Sequence, residues 1–208
     1  MAIYAEGIKK LENINEVAET TGGECEAEAG NIGDWCASNW GSTTAKETFD
    51  EVFEVARSAF KDVKDRLSVK TDAILAMIEN YRKTDQYEGS FAGFTFEVPK
   101  LENSVPTKLS DGGVGKKADA DINDLTQYIK NIQSSVETFL TEAYNNASTS
   151  GAFDGEEDQA LVQGIGDMKE AISTNFETLA SSASTRFSNE QEAREEAEKV
   201  NVQNATAG

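Results

Sequence analysis

Histidine is absent from this 208-residue chain, and cysteine and proline each occur only twice. Without histidine, the chain lacks the usual general base and cannot form a Ser-His or Cys-His pair for nucleophilic catalysis. Two cysteines without histidine also leave too few ligands for a common zinc site. We therefore predict a protein that is not an enzyme and has no catalytic residues, no metal and no cofactor.

Long apolar runs and positive charges are also scarce. No segment approaches the roughly 20 apolar residues of a membrane span, and the N-terminal segment has no apolar run long enough for a signal-peptide core. The chain has 19 Lys and Arg against 38 Asp and Glu, a formal net charge of −19. This balance opposes binding to nucleic acid phosphates and anionic lipids, and it favours a basic partner surface. We expect no nucleic acid partner and no stable membrane insertion, and any export would use no cleaved signal.

The longest helical pattern runs from Thr43 to Asp85, and neither proline nor glycine interrupts it. At about 1.5 Å per residue, such a helix would be roughly 60 Å long and could not fold back into its own core. Its apolar residues follow alternating steps of three and four, typical of a coiled-coil seam, with a break at Lys70. The predicted seam consists of Phe49, Phe53, Ala56, Phe60, Val63, Leu67, Ile74, Met77 and Tyr81.

Three further helices follow from the same kind of pattern. Residues 8–36 form a weaker seam whose glycines, at about 1 kcal/mol each, predict a kink near Gly22. A third helix is predicted to start near Asp119 or Asp121, and a fourth at Glu156. The connections at 37–42 and 145–155 are short and rich in turn formers, so each pair should be antiparallel.

These elements predict an all-α fold, an elongated antiparallel four-helix bundle made of two helical hairpins. Residues 1–86 would form the first hairpin and 87–118 an aromatic linker that contains glycine and proline. Residues 119–208 would form the second hairpin, with a frayed acidic tail.

The linker begins with an aromatic stretch that contains Tyr87, Phe91, Phe94 and Phe96. Phe94, Phe96 and Val98 alternate like a short strand. One interpretation is a strap that packs on the helices. The other is an exposed segment that binds a partner through these four aromatic residues.

The two cysteines, Cys25 and Cys36, lie about 16 Å apart along a continuous helix, whereas a disulfide needs Cα atoms within about 7 Å. A disulfide would therefore require the helix to break at Gly30 or Gly33. We favour the interpretation that both cysteines are small, buried apolar residues.

Two short motifs resemble ligand-binding loops but lack required residues. Residues 113–117 suggest a phosphate loop, yet Ser110 occupies its first glycine position and Lys117 its Ser/Thr position. Residues 119–123 imitate the start of a calcium loop, yet Asp124 replaces the required glycine. The acidic residues fit the positive N-terminal end of a helix better.

The hairpin, its turn and the end of the second helix resemble the WXG family, the small secreted hairpins of type VII (ESX-type) secretion that include the early secreted antigenic target-like proteins. That family has a Trp-x-Gly turn between antiparallel helices and a Tyr-x-x-x-Asp/Glu export signal after the second helix. Here Trp40 and Gly41 lie in the first turn, and Tyr81-Arg82-Lys83-Thr84-Asp85 matches the signal. Tyr81 and Asp85, four residues apart, share one helical face, so a receptor can read both.

The chain also departs from the family pattern. Trp40 is followed directly by Gly41, whereas Phe153-Asp154-Gly155 keeps the family spacing but has Phe in place of Trp. Residues 187–191, where a second signal would stand, have neither the Tyr nor an acid in register. The resemblance therefore implies two fused family members, a pseudo-dimer within one chain, with the export signal in the first half only.

The resemblance implies a secreted protein or targeting factor that is cytoplasmic before export and then extracellular or at the cell surface. Its expected partners are the type VII secretion ATPase or another secretion component, and a co-secreted effector. The alternative is a structural or adaptor bundle that mediates protein-protein interaction, in which Trp40 is a core residue and Tyr81 a helix-end residue.

Overall fold

The structure is a computed structural model that describes residues 2–85, 89–109 and 121–206, with side chains from residue 5 to residue 84 in the first range. All regular secondary structure within these ranges is helical. The helices are α1 (Ala2–Asn39), α2 (Thr43–Ser68), α3 (Thr71–Asp85), α4 (Ile122–Ser148) and α5 (Glu156–Thr206). The prediction of an all-α fold is confirmed.

Helix α1 is not interrupted at Gly22 or at its other glycines. Glycine serves a purpose at Gly33, where an added Cβ would lie 1.9 Å from Ser104 Oγ. Segment 89–109, which we call the strap, therefore approaches α1 more closely than a side chain would allow. The space that glycine leaves on this helix face is filled by another part of the chain.

Helix α2 begins at the predicted residue, Thr43. Ser42 has extended backbone angles (φ −161°, ψ 154°), and its Oγ accepts a hydrogen bond from the Ala45 backbone N–H, which caps the helix. The predicted seam is buried over the whole of α2, with at most 1% exposure at each position. These residues are Phe49, Phe53, Ala56, Phe60, Val63 and Leu67.

The predicted single helix from Thr43 to Asp85 is wrong, because it breaks between Ser68 and Thr71. At the break, Lys70 Nζ lies 2.6 Å from Asp158 Oδ1 in the first turn of α5. The lysine that interrupts the apolar pattern therefore has a partner on another helix. This contact explains why a charged side chain occupies a seam position.

The buried face of α3 also differs from the predicted seam. Ile74 and Ile78 are 2% and 3% exposed, whereas Met77 and Tyr81 are 39% and 43% exposed. The prediction that Met77 and Tyr81 belong to the buried seam is therefore wrong. At 100° per residue, the face formed by Ile74, Ile78 and the half-buried Leu75 lies about 70° from the predicted one.

Helix α4 packs between α1 and α5, and α5 also packs against α2. The α1/α4 pair is antiparallel, since Lys10 donates to the Thr149 carbonyl (3.0 Å) while Asn131 donates to Glu28 (2.5 Å). Helices α2 and α4 meet at Phe60 and Phe139, whose rings stack 4.2 Å apart.

The strap lies between α1 and α2, which were predicted to be direct neighbours. Asn15 on α1 donates to the Gly93 carbonyl and accepts from the Thr95 N–H, at 3.1 and 3.0 Å. From α2, Lys64 donates to the Phe96 carbonyl (2.6 Å) and Arg57 to the Leu101 carbonyl (2.7 Å). Polar side chains of both helices thus satisfy backbone groups of the strap, which has no regular secondary structure.

The aromatic side chains of the strap point into the core. Phe91, Phe94 and Phe96 are 3%, 7% and 0% exposed, and Leu101 and Val105 are buried beside them. For the three phenylalanines, the prediction of an exposed partner-binding segment is wrong, and a packed strap is what the structure contains. Tyr87, the fourth aromatic residue of that prediction, lies outside the described residues.

The C-terminal segment is helical through Thr206, so the prediction of a frayed tail is wrong for residues 201–206. Helix-forming residues continue without Gly or Pro from Asp167 to Thr206, which favours continuation of the helix even where its side chains are exposed. No helix in the described ranges is long and apolar enough to cross a membrane.

Candidate recognition site

The predicted export signal lies on the last two turns of α3. Tyr81 is partly exposed, one turn after the partly exposed Met77. The buried residues Ile74 and Ile78 point about 20° and 60° away from Tyr81 around the helix axis, so Tyr81 lies at the edge of the buried face. Asp85 is the last residue of α3. The helix thus carries a partly exposed aromatic ring and ends in an acidic residue.

Glu79, within this segment, forms two ion pairs. Glu79 Oε2 lies 3.2 Å from Arg82 Nη1, and Glu79 Oε1 lies 3.6 Å from Lys83 Nζ. The two basic residues occupy the last turn, where the negative end of the helix dipole favours positive charge. A carboxylate at Asp85 is disfavoured at the same end, so helix electrostatics does not account for this residue.

One of the two predicted turn motifs lies at the end of the molecule where α3 begins. Phe153 is buried (4% exposed), and a Cβ on Gly155 would lie 3.1 Å from Asp158 Oδ2. Glycine at this position lets the Asp158 carboxylate lie over the turn, within reach of Lys70. The structure therefore brings the start of α3 together with the Phe153-Asp154-Gly155 turn.

The other turn motif is buried at the opposite end. Trp40 has no exposed surface, its ring meets Phe187 edge-on at 6.1 Å, and Arg194 Cζ lies 4.7 Å from its centroid. Arg194 Nη2 donates to the Gly41 carbonyl (3.2 Å) and also contacts Glu190. With α5 rising about 1.5 Å per residue, Arg194 and Asp158 are about 54 Å apart, so the two turns do not form one site.

Sequence reasoning missed Arg194 and the polar residues that hold the strap. Arg194 lies in the charged run from Asn189 to Lys199, and Asn15 and Lys64 look like ordinary polar positions of amphipathic helices. Their partners are Trp40, Gly93 and Phe96, each far away in sequence. No local pattern contains such information.

Both cysteines are buried and not bonded to each other, which confirms their interpretation as small buried residues. Burial raises the pKa of the Cys25 thiol, with a further contribution from Glu24, and the pKa of the Cys36 thiol, each to about 12. Both thiols are therefore protonated at neutral pH and are poor nucleophiles.

No group of three or more potential metal-ligating side chains converges within the part of the chain that the structure describes. A shallow cavity of about 250 Å³ lies beside the second turn, lined by Tyr144, Phe153, Asp154 and neighbouring side chains.

Comparison with family models, with curated proteins and with solved structures finds no match to this chain.

Proposed function

We propose that this chain is a non-enzymatic substrate or targeting factor of a type VII secretion system, and that a secretion component binds it through Tyr81 and Asp85. The observation that carries the proposal is the partial exposure of Tyr81 on α3, a helix that the burial of Ile74 and Ile78 holds against the core. A large aromatic side chain that is 43% exposed presents surface of the kind that protein partners bind. Because the two residues match the family's export signal, the proposed receptor is a component of the type VII secretion system.

The architecture we propose is two WXG-like hairpins, α1 with α2 and α4 with α5, fused into one antiparallel four-helix bundle. The packing of α1 on α4 and of α2 on α5 supports this pairing of the two halves. The strap would act as a fifth core element, because its side chains fill the space between α1 and α2. Such a chain contains its own partner and would travel from the cytoplasm to the outside as a folded unit.

A secretion assay tests the function. We expect Tyr81→Ala and Asp85→Asn each to abolish export into the culture supernatant of a strain with a type VII ATPase, while wild type is retained in cells that lack the ATPase. Because Asp85 ends α3 at the negative end of the dipole, Asp85→Asn should leave the melting temperature unchanged or slightly raised. Tyr81→Ala should lower stability by no more than about 1 kcal/mol, since the side chain is partly exposed.

Matched controls lie on the same helix. Asn80→Ala changes an exposed neighbour of Tyr81, and Asp72→Asn removes an exposed carboxylate from the first turn of α3. Both control variants should be exported like wild type. Normal export of folded Asp85→Asn protein would contradict the proposal.

The fused architecture has a separate test. Residues 1–109, which include the strap, and residues 121–208 should copurify when they are expressed as two chains, because each alone exposes an apolar face. Two stable monomers that do not bind each other would refute the pairing.

A structural or adaptor protein is the second candidate, and the burial of Trp40 favours it. A tryptophan enclosed by Phe187 and Arg194 stabilises the fold and offers no surface to a receptor. This candidate predicts that the protein stays in the cell with or without the ATPase.

A further inference from the structure

The geometry points to a conformational switch in which the Lys70–Asp158 ion pair holds α2 and α3 apart, so that opening this pair joins them into one continuous helix. The switch consists of the break at residues 69–70, the ion pair, and the two isoleucines that anchor α3. It does not depend on the secretion function, because it concerns the position of α3 and not its receptor.

The break coincides with neither proline nor glycine, and the local polar contact across it is the Thr71 hydroxyl, which donates to the Leu67 carbonyl at 3.5 Å. Sharp interruptions of helices usually coincide with proline, glycine or a local bulge, but residues 68–71 are Ser, Val, Lys and Thr. Val69 itself keeps right-handed helical angles (φ −53°, ψ −33°). The backbone at Val69 is therefore compatible with a continuous helix, and contacts from elsewhere in the chain also act on the break.

The hydrogen bonds at the break are also incomplete. The Lys70 N–H reaches the Leu67 carbonyl at 3.4 Å, a long three-residue bond, and regular spacing resumes where the Ile74 N–H donates to the Lys70 carbonyl at 3.0 Å. A continuous helix would restore the four-residue bonds across residues 69–71. The broken form thus gives up backbone hydrogen bonding that the joined form would regain.

Tertiary contacts compensate for this loss. Lys70 Nζ and Asp158 Oδ1 lie 2.6 Å apart and are partly exposed, with side-chain exposures of 30% and 19%. Thr71 passes so close to the strap that a Cβ on Gly93, which has φ +84°, would lie 2.9 Å from its methyl group. Beyond these contacts, α3 is held by the burial of Ile74 and Ile78.

These opposing contributions make a two-state element. The broken form has an ion pair and buried side chains, and the joined form has an intact helix that carries Ile74 and Ile78 away from the core. Asp158→Asn removes the ion pair and leaves the other contributions in place. The balance then moves towards the joined helix.

Amide hydrogen exchange on the full chain tests the switch. In Asp158→Asn, the amides of residues 69–71 should exchange up to about fivefold more slowly than in wild type, because they become internal to a helix. Glu157→Gln is the matched control, since it removes a neighbouring carboxylate from the same turn of α5 and leaves the Lys70 contact in place. The control should exchange like wild type.

A charge reversal separates the ion pair from nonspecific damage. Lys70→Glu should slow exchange at residues 69–71 as Asp158→Asn does, and the double variant Lys70→Glu/Asp158→Lys should restore the wild-type rate. Faster exchange throughout residues 69–84 in the single variants would mean that α3 melts, and it would overturn the switch. Unchanged exchange in both single variants would overturn the role of the ion pair.

Discussion

Phe96 provides the most direct test of the strap as part of the core. Its ring is fully buried, meets Phe139 edge-on at 5.7 Å, and has Lys64 Nζ 5.5 Å from its centroid. Phe139 in turn stacks on Phe60, so the strap is joined to α4 and α2 through one aromatic cluster. Replacing Phe96 with alanine removes the central contact between these three elements.

Phe96→Ala should lower the free energy of unfolding by about 3–5 kcal/mol, the usual range for Phe→Ala in a packed core, because the substitution removes buried area and leaves a cavity. The edge-on contact with Phe139 accounts for about 0.5–1.5 kcal/mol of that range. In a chain of this length, about 2–4 °C of melting temperature corresponds to each kcal/mol, so the midpoint should fall by about 10 °C.

Urea denaturation monitored by circular dichroism measures this change. Thr95→Ala is the control, because its side chain is exposed and its backbone N–H can still donate to Asn15. We expect the control to remain within about 0.5 kcal/mol of wild type. A similarly small loss for Phe96→Ala would refute the packed strap and return the aromatic segment to a partner-binding role.

Three further predictions concern other contacts. Gly33→Ala should destabilise the protein by about 1–3 kcal/mol, since the new Cβ meets the strap, whereas Gly30→Ala, with open space around it, should stabilise α1 by up to about 1 kcal/mol in urea titrations. Arg194→Met should cost about 1–2 kcal/mol and increase acrylamide quenching of tryptophan fluorescence, because the cation above the buried turn tryptophan is lost. The pKa values of Cys25 and Cys36 are raised from 9.0 to about 12, so the native state retains protons that the unfolded chain loses between these pH values, and stability falls as pH rises. Between pH 8 and pH 10 under reducing conditions, each thiol should lower the free energy of unfolding by about 1.4 kcal/mol. Over the same interval, the free energy of unfolding of a Cys25→Ala/Cys36→Ala variant should therefore fall by about 3 kcal/mol less than that of wild type.

Part of the candidate site could be predicted from the sequence, and part of it could not. The Tyr81 and Asp85 spacing could be read from the sequence, because residues four apart on a helix share a face whatever surrounds them. The exposure of Tyr81 could not, since it depends on how α3 is turned after the break, and the apolar pattern alone had placed this ring on the seam.

The sequence by itself determined the helical elements and most of their buried faces. Apolar spacing identified the seam of α2, and Ser42 and Asp121 cap their helices at positions where capping residues precede apolar patterns. Such signals are local, because a helix face and a helix start involve residues only a few positions apart. Periodicity therefore identified the buried face of α2, whereas the face of α3 changed after the break at residues 69–70.

Only the tertiary structure decided what covers each face and where the long helix stops. The break at Lys70 depends on Asp158, the burial of Trp40 depends on Arg194, and the separation of α1 from α2 depends on a strap held by side chains of both helices. Each of these contacts joins residues that are far apart in the chain. An apolar stripe shows that a helix must be covered, but the identity of the covering element follows only when all parts of the chain pack together.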